Sequence, residues 1–292
     1  MQTRNRRTLA TVLSLATAAS LCLVPAGAGA EESARAARAC SALVTAIDAQ
    51  QRVRQLAVES AAITTDRASA PLKFKGYQQG VVAAKDTDTG TVLWTRVVTR
   101  DGRPRTLEIR SKDSDTENLT TSATPFAQDG FEPKLFTTSF KGAEAFSFAG
   151  GTLARWTTYR RSNGSGLYFG SRVALKSGLR LKTLTYAFRA KIGGVPTDVL
   201  FATTGGGALL AAHVPVRKPA NARVKVVKRK GFRRYTGLST AQCGNAFGIL
   251  FIDKGDLAHM FSITHPMNPS AGDVTREYRV APDFGWSLTA TV

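Results

Sequence analysis

Histidines, two short motifs built on aspartate and serine, and one dense run of cations are the residues here whose types could do chemistry. His213, His259 and His265 are the three histidines. None stands at metal-ligand spacing from Cys, Asp or Glu. His213 and His259 fall inside apolar segments, where a strand histidine is the simpler assignment. Asp86-Thr-Asp88-Thr-Gly90 has part of a calcium loop but not the third carboxylate and distal Glu that complete one. It fits a hairpin turn better. Gly237-Leu-Ser239-Thr-Ala241 resembles a nucleophile elbow, which needs a strand-to-helix turn. Cys243-Gly-Asn and an apolar segment follow instead, so this segment is expected to be a strand. No carboxylate pair or triad is readable. The expectation is a protein that is not an enzyme and holds no cofactor and no metal.

The cations carry the stronger signal. The formal charge is +19, and it is unevenly spread. Between Glu144 and Asp253 the only acidic residue is Asp198, against eighteen Lys and Arg. The densest run holds Arg217, Lys218, Arg223, Lys225, Lys228, Arg229, Lys230, Arg233 and Arg234. Side chains alternate along a strand, so Arg223 and Lys225 share one face. Two uses fit this run. Charge can keep an edge strand from aggregating, or the run can dock phosphate, sulfate or carboxylate groups, for which Arg is suited. These nine residues are the candidate polyanion site.

The chain must place that run somewhere, and its first residues supply an address. Arg4, Arg6 and Arg7 precede the uncharged stretch Leu9 to Val24. Pro25, Ala28-Gly29-Ala30 and Glu31-Glu32 follow. This is the plan of a cleaved signal peptide over residues 1–30. The apolar stretch is shorter than the roughly 20 residues of a membrane span. Arg6-Arg7 leaves the twin-arginine route open beside the general one. A secreted, extracellular protein is expected, with no membrane span after cleavage. Export argues against nucleic acid as the partner of the basic run. Cys22 leaves with the signal, so Cys40 and Cys243 remain. Two cysteines in an oxidising compartment are expected to pair.

Residues 31–292 repeat a hairpin pattern. Phe247 to His265 gives the template: an apolar strand, a turn at Asp253 and Gly255, and a second strand. Similar hairpins fall near 41–58, 80–97, 145–159 and 198–215, with Val53, Val92, Leu153, Leu209 and Leu257 as matching apolar positions. The spacing of about 40 to 60 residues is that of propeller blades. The segments Phe232 to Ala241 and Phe284 to Val292 also match each other, so the C-terminal segment should complete the first blade. The fold expected is all-β: a single five-bladed β-propeller domain closed by N- and C-terminal strands. In that ring Cys40 and Cys243 lie at one seam.

The Leu250-Phe-Ile-Asp-Lys-Gly-Asp-Leu257 pattern and the five-fold count resemble the tachylectin-like five-bladed propellers. The resemblance implies carbohydrate binding, with each blade contributing a similar site. The repeats here differ strongly from one another, and the aromatic residues of such sugar sites are not repeated, so no binding residue is carried over. The expected function is a secreted, lectin-like, monomeric binding module for a glycan or an anionic cell-envelope polymer. A protein-interaction scaffold and an extracellular hydrolase on a propeller frame are the alternatives.

Overall fold

The computed structural model describes residues 40–48, 50–73, 76–86, 90–99, 104–111, 118–125, 133–139, 144–160, 167–253, 257–280 and 290–291. The signal segment 1–30, Asp88 and the template turn residue Gly255 lie outside them. Among the described residues the chain is β throughout, apart from two one-turn 3-10 helices at Pro219–Asn221 and Ala271–Asp273.

The strands fall into sets. β1 (Cys40–Ile47), β2 (Arg52–Glu59) and β3 (Ala62–Pro71) come first. Next are β4 (Gly76–Asp86), β5 (Gly90–Thr99), β6 (Pro104–Ser111) and β7 (Asn118–Pro125). β8 (Leu135–Thr138), β9 (Glu144–Ala149), β10 (Thr152–Arg160) and β11 (Leu167–Lys176) form another set. So do β12 (Leu181–Ile192), β13 (Val195–Thr204), β14 (Leu209–Pro215) and β15 (Arg223–Lys228). β16 (Tyr235–Cys243), β17 (Ala246–Asp253), β18 (Ala258–Ile263) and β19 (Val274–Val280) follow, and β20 (Ala290–Thr291) is last.

Within each set, consecutive strands pair antiparallel. β20 joins the first set by pairing with β1, Ala46 opposite Thr291. It therefore stands to β1 as β16 stands to β17. The result is a propeller-like series of four-stranded meanders. β4 contacts β8, β8 contacts β12 and β12 contacts β16, while β20 contacts both β16 and β4.

Apolar side chains on both faces of the central strands explain this stacking. In β13, Val199 and Phe201 face the β16–β19 sheet, where they pack with Phe251 and Ile263. Leu200 and Ala202 face the β8–β11 sheet, where they pack with Phe146 and Leu153. A strand buried on both sides reads as an unbroken apolar run, as Val199 to Ala202 does. A third core joins the first set to the last through Val44, Leu56, Leu250 and Met260. At that junction Cys40 and Cys243 are bonded to each other, and β1 pairs with β16 at Cys40–Cys243 and Ser41–Gln242.

Three hairpins share one turn device. Asp48, Thr204 and Asp253 each donate their backbone N–H to the carbonyl four residues on, at 2.9 Å. Each also accepts the N–H of that residue on a side-chain oxygen: Arg52 to Asp48 Oδ1, Ala208 to Thr204 Oγ1 and Leu257 to Asp253 Oδ1. This caps the turn from both sides. It also fixes the true equivalence. Val53 and Leu209 match Ala258, one position beyond the Leu257 expected from sequence. The expected hairpin at 80–97 is β4–β5, the first two strands of its set, whereas the other expected hairpins in full sets are second and third strands.

Candidate anion-docking surface

Strand direction sorts the cations. The turns after β13 and β17, the start of β16 and the linker 229–234 lie at one end of their sheets, here the turn end. Cys243 and the β14–β15 connection lie at the opposite, disulfide end. β15 runs between the two ends. Its six residues cover about 17 Å at roughly 3.3 Å per residue.

The nine cations of the sequence-predicted site therefore do not form one patch. Arg217, Lys218 and Arg223 are exposed near the disulfide end. Lys225, midway, donates from Nζ to Asn268 Oδ1 at 2.9 Å. Arg223 pairs across the sheet with His213. Burial, with the Lys225 charge adding to it, holds the His213 imidazole below its ordinary range.

Lys228, Arg229, Lys230, Arg233 and Arg234 gather at the turn end. There they meet cations that sequence reading had not joined to them. Lys182 Nζ donates to the Arg233 carbonyl at 2.8 Å. Lys182 also lines a cleft of about 500 Å³ with Lys134, Arg180, Phe148 and the backbone of Gly150, Gly151 and Gly205. The linker is held tightly over the β13–β14 turn. Phe232 N–H donates to Gly207 O at 3.0 Å. A Cβ on Gly207, whose φ is +89°, would lie 2.9 Å from Arg233 N; only glycine accepts that conformation and that approach. Arg180, Arg229, Lys230 and Arg233 are exposed. None makes a salt bridge among the described residues.

Arg234 has another task. It lies 5.0 Å over the Tyr235 ring, donates to Tyr235 Oη at 3.1 Å and reaches the His259 ring nitrogens at 3.4 Å. His259 Nε2 is 3.3 Å from Asp253 Oδ2. Burial, then the Arg234 charge, lowers the His259 pKa, and Asp253 only partly opposes this. Arg234 braces the base of β16 and is not one of the open cations.

The structure also assembles a group missed in the sequence. Glu144 Oε1 meets Arg155 Nη2 at 3.1 Å and Arg189 Nη2 at 2.7 Å. Arg189 then binds Asp198 through Nε at 2.8 Å and Nη2 at 3.1 Å. Tyr186 Oη donates to Asp198 Oδ1 at 3.2 Å. Arg155 continues to the Val216 carbonyl at 2.8 Å. Burial would raise the Glu144 pKa, but Arg189, Ser139 and Arg155 together hold it below the usual carboxylate value. Burial and the Asp198 charge raise that of Tyr186. Both carboxylates are committed to arginine, which suits a clamp between sheets and not proton transfer. The one sequence signal was Asp198 itself, a lone acid in a basic stretch. Gly237 to Ala241 lies within β16, and no cluster of three metal-binding side chains occurs among the described residues.

No family model matches the chain, and no curated protein matches it in sequence. Solved structures do. One, from a nidogen–laminin complex, is 12% identical, covers 86% of this chain and 97% of its own, and has a TM-score of 0.42. The SapL1 lectin in complex with alpha methyl fucoside is 9% identical over 84% of this chain and 82% of its own, at 0.40. A protein from Lactobacillus plantarum is 9% identical over 85% and 70%, at 0.39.

Proposed function

We propose that the chain is an exported, five-bladed β-propeller binding module that docks anionic glycans or envelope polymers at its turn end, and that it binds without catalysing. The observation that carries this is the set of exposed cations Arg180, Arg229, Lys230 and Arg233, unbridged among the described residues, beside the cleft of Lys134 and Lys182. Such a one-signed surface favours polyanions over neutral partners. Ring closure is supported by the run of contacts from β4 through β8, β12, β16 and β20 back to β4 and by the pairing of β20 with β1. Export is supported by the order of charge, apolar stretch and small residues over 1–30 and by the Cys40–Cys243 disulfide.

The test is binding of the mature chain to a sulfated polysaccharide and to a phosphate-containing wall polymer across a salt series. Binding should weaken steeply with salt. Reversing Arg229, Lys230 and Arg233 together to Glu should weaken it at least about tenfold, from losses of roughly 0.5–1 kcal/mol at each exposed site. Reversing Arg217 and Lys218, at the other end, should do far less. Equal losses from the two sets, or no polyanion binding, would overturn the proposal.

A further inference from the structure

At the disulfide end lies a cleft of about 560 Å³ whose chemistry is the opposite of the turn end. The pairing of β17 with β16, β16 with β1 and β1 with β2 sets four side chains in a row: Phe247 opposite Gln242, Gln242 opposite Ser41, and Ser41 opposite Glu59. Cross-strand partners share a face, with strands spaced about 4.8 Å apart. The row thus offers a ring, a carboxamide, a hydroxyl and a carboxylate in order. Gln242, Ser41 and Glu59 are exposed, and Phe247 is half-buried. Phe188 of β12 forms the facing wall and meets Phe247 edge-on at 5.2 Å between ring centres. Small side chains on the cleft side, Ala57 of β2 and Ala187 of β12, leave the space open.

Among the described residues neither Lys nor Arg lines this cleft, so its described lining is not suited to a polyanion. Its apolar rings suit a C–H face, and its carboxamide, hydroxyl and carboxylate suit hydroxyl groups. Pockets of roughly 300–1,000 Å³ take small ligands. The disulfide next to Gln242 holds β1 and β16 together, which fixes the row before a ligand arrives and lowers the ordering cost of binding. We infer that this cleft is a second, independent site for a neutral pyranose, with the sugar's apolar face on Phe188 and Phe247 and its hydroxyls on Gln242, Ser41 and Glu59. This goes beyond the polyanion surface and does not depend on it.

The experiment is ligand-observed NMR on the mature, oxidised chain with the methyl glycosides of glucose, galactose, mannose and N-acetylglucosamine, at high salt to silence the basic end. At least one should bind. Glu59→Gln should weaken it roughly tenfold, since a hydrogen bond to a carboxylate is stronger than one to a neutral amide. Gln242→Ala should also weaken it, while the triple charge reversal at Arg229, Lys230 and Arg233 leaves it unchanged. Glu59, Gln242 and Ser41 are exposed, so these variants keep the fold. Failure of every methyl glycoside to bind, or binding that ignores both Glu59→Gln and Gln242→Ala, overturns the inference. Capture of an apolar peptide in place of sugar does so too. Salt-sensitive polyanion binding tested alongside reports separately on the turn end.

Discussion

Arg189 and Asp198 make an unequal pair, and the inequality can be measured. Asp198 is fully buried, whereas the Arg189 side chain is 39% exposed. Arg189→Ala would leave a buried carboxylate with the Tyr186 hydroxyl as its one hydrogen-bond donor among those identified. Breaking a buried pair by removing one partner costs about 3–5 kcal/mol. Asp198→Ala is the milder change. Arg189 keeps Glu144 at 2.7 Å and can turn to water, so its two lost charged hydrogen bonds, discounted for that exposure, come to about 2 kcal/mol, and the lost bond from Tyr186 adds about 1 kcal/mol. Removing both residues abolishes the stranded charge. The double variant should therefore be more stable than Arg189→Ala alone. Urea unfolding of the mature chain at neutral pH reads all three midpoints, and equal slopes show that they compare like with like. A double variant less stable than Arg189→Ala would refute the reasoning. It would mean that packing around these residues, and not the burial of Asp198, governs the cost.

The disulfide and the titrating groups give two further expectations. Replacing Cys40 and Cys243 with Ala should cost about 2–5 kcal/mol in urea unfolding, the chain-entropy figure for the 203-residue separation being an upper bound of about 5 kcal/mol; hydrogen exchange should then speed up in β1 and β16 before β13, and unchanged exchange at that seam would count against its role. Stability should hold steady from neutral pH up to about pH 9, below the ordinary tyrosine pKa, and fall with acid, because His213 and His259 have lowered folded pKa values, so the unfolded chain takes up protons first, from about pH 6.5 downward. Glu144, also lowered, adds a second loss below the ordinary carboxylate pKa. Thermal midpoints across pH check this, and a rise in stability on acidification to pH 5 would contradict it.

Much of the strand pattern is written locally. Val199 to Ala202 and Ile249 to Ile252 are apolar because sheets press on both sides, and such runs between turn residues are visible without a structure. Hairpin phase is not. Each meander has three turns, and an apolar–turn–apolar segment looks alike at any of them, so Gly80 to Val97 was matched one strand out of step. The pairing of Cys40 with Cys243 followed from counting cysteines once Cys22 was assigned to the signal. The Glu144–Arg189–Asp198 clamp was illegible because its members come from β9, β12 and β13, and only the stacking of two sheets unites them. The basic run is the opposite case. Its residues are close in sequence, but β15 carries them to opposite ends.

That division changes what the net charge means. Glu144 and Asp198 are consumed inside the clamp by Arg155 and Arg189, and Asp253 is turned inward to Leu257 and His259. The middle of the chain therefore spends these acids in the interior, and among the described residues Arg180, Arg229, Lys230 and Arg233 make no salt bridge that would cancel their field. The uncancelled part lies around Arg180, Arg229, Lys230 and Arg233, while the row from Phe247 to Glu59 sits at the far end of the same sheets. At physiological salt a charge is screened beyond about 8 Å, and β15 alone spans about twice that. A polyanion at the proposed turn-end site would therefore exert little electrostatic pull on a neutral sugar in the proposed cleft, and the two proposed sites could be filled on one chain at once.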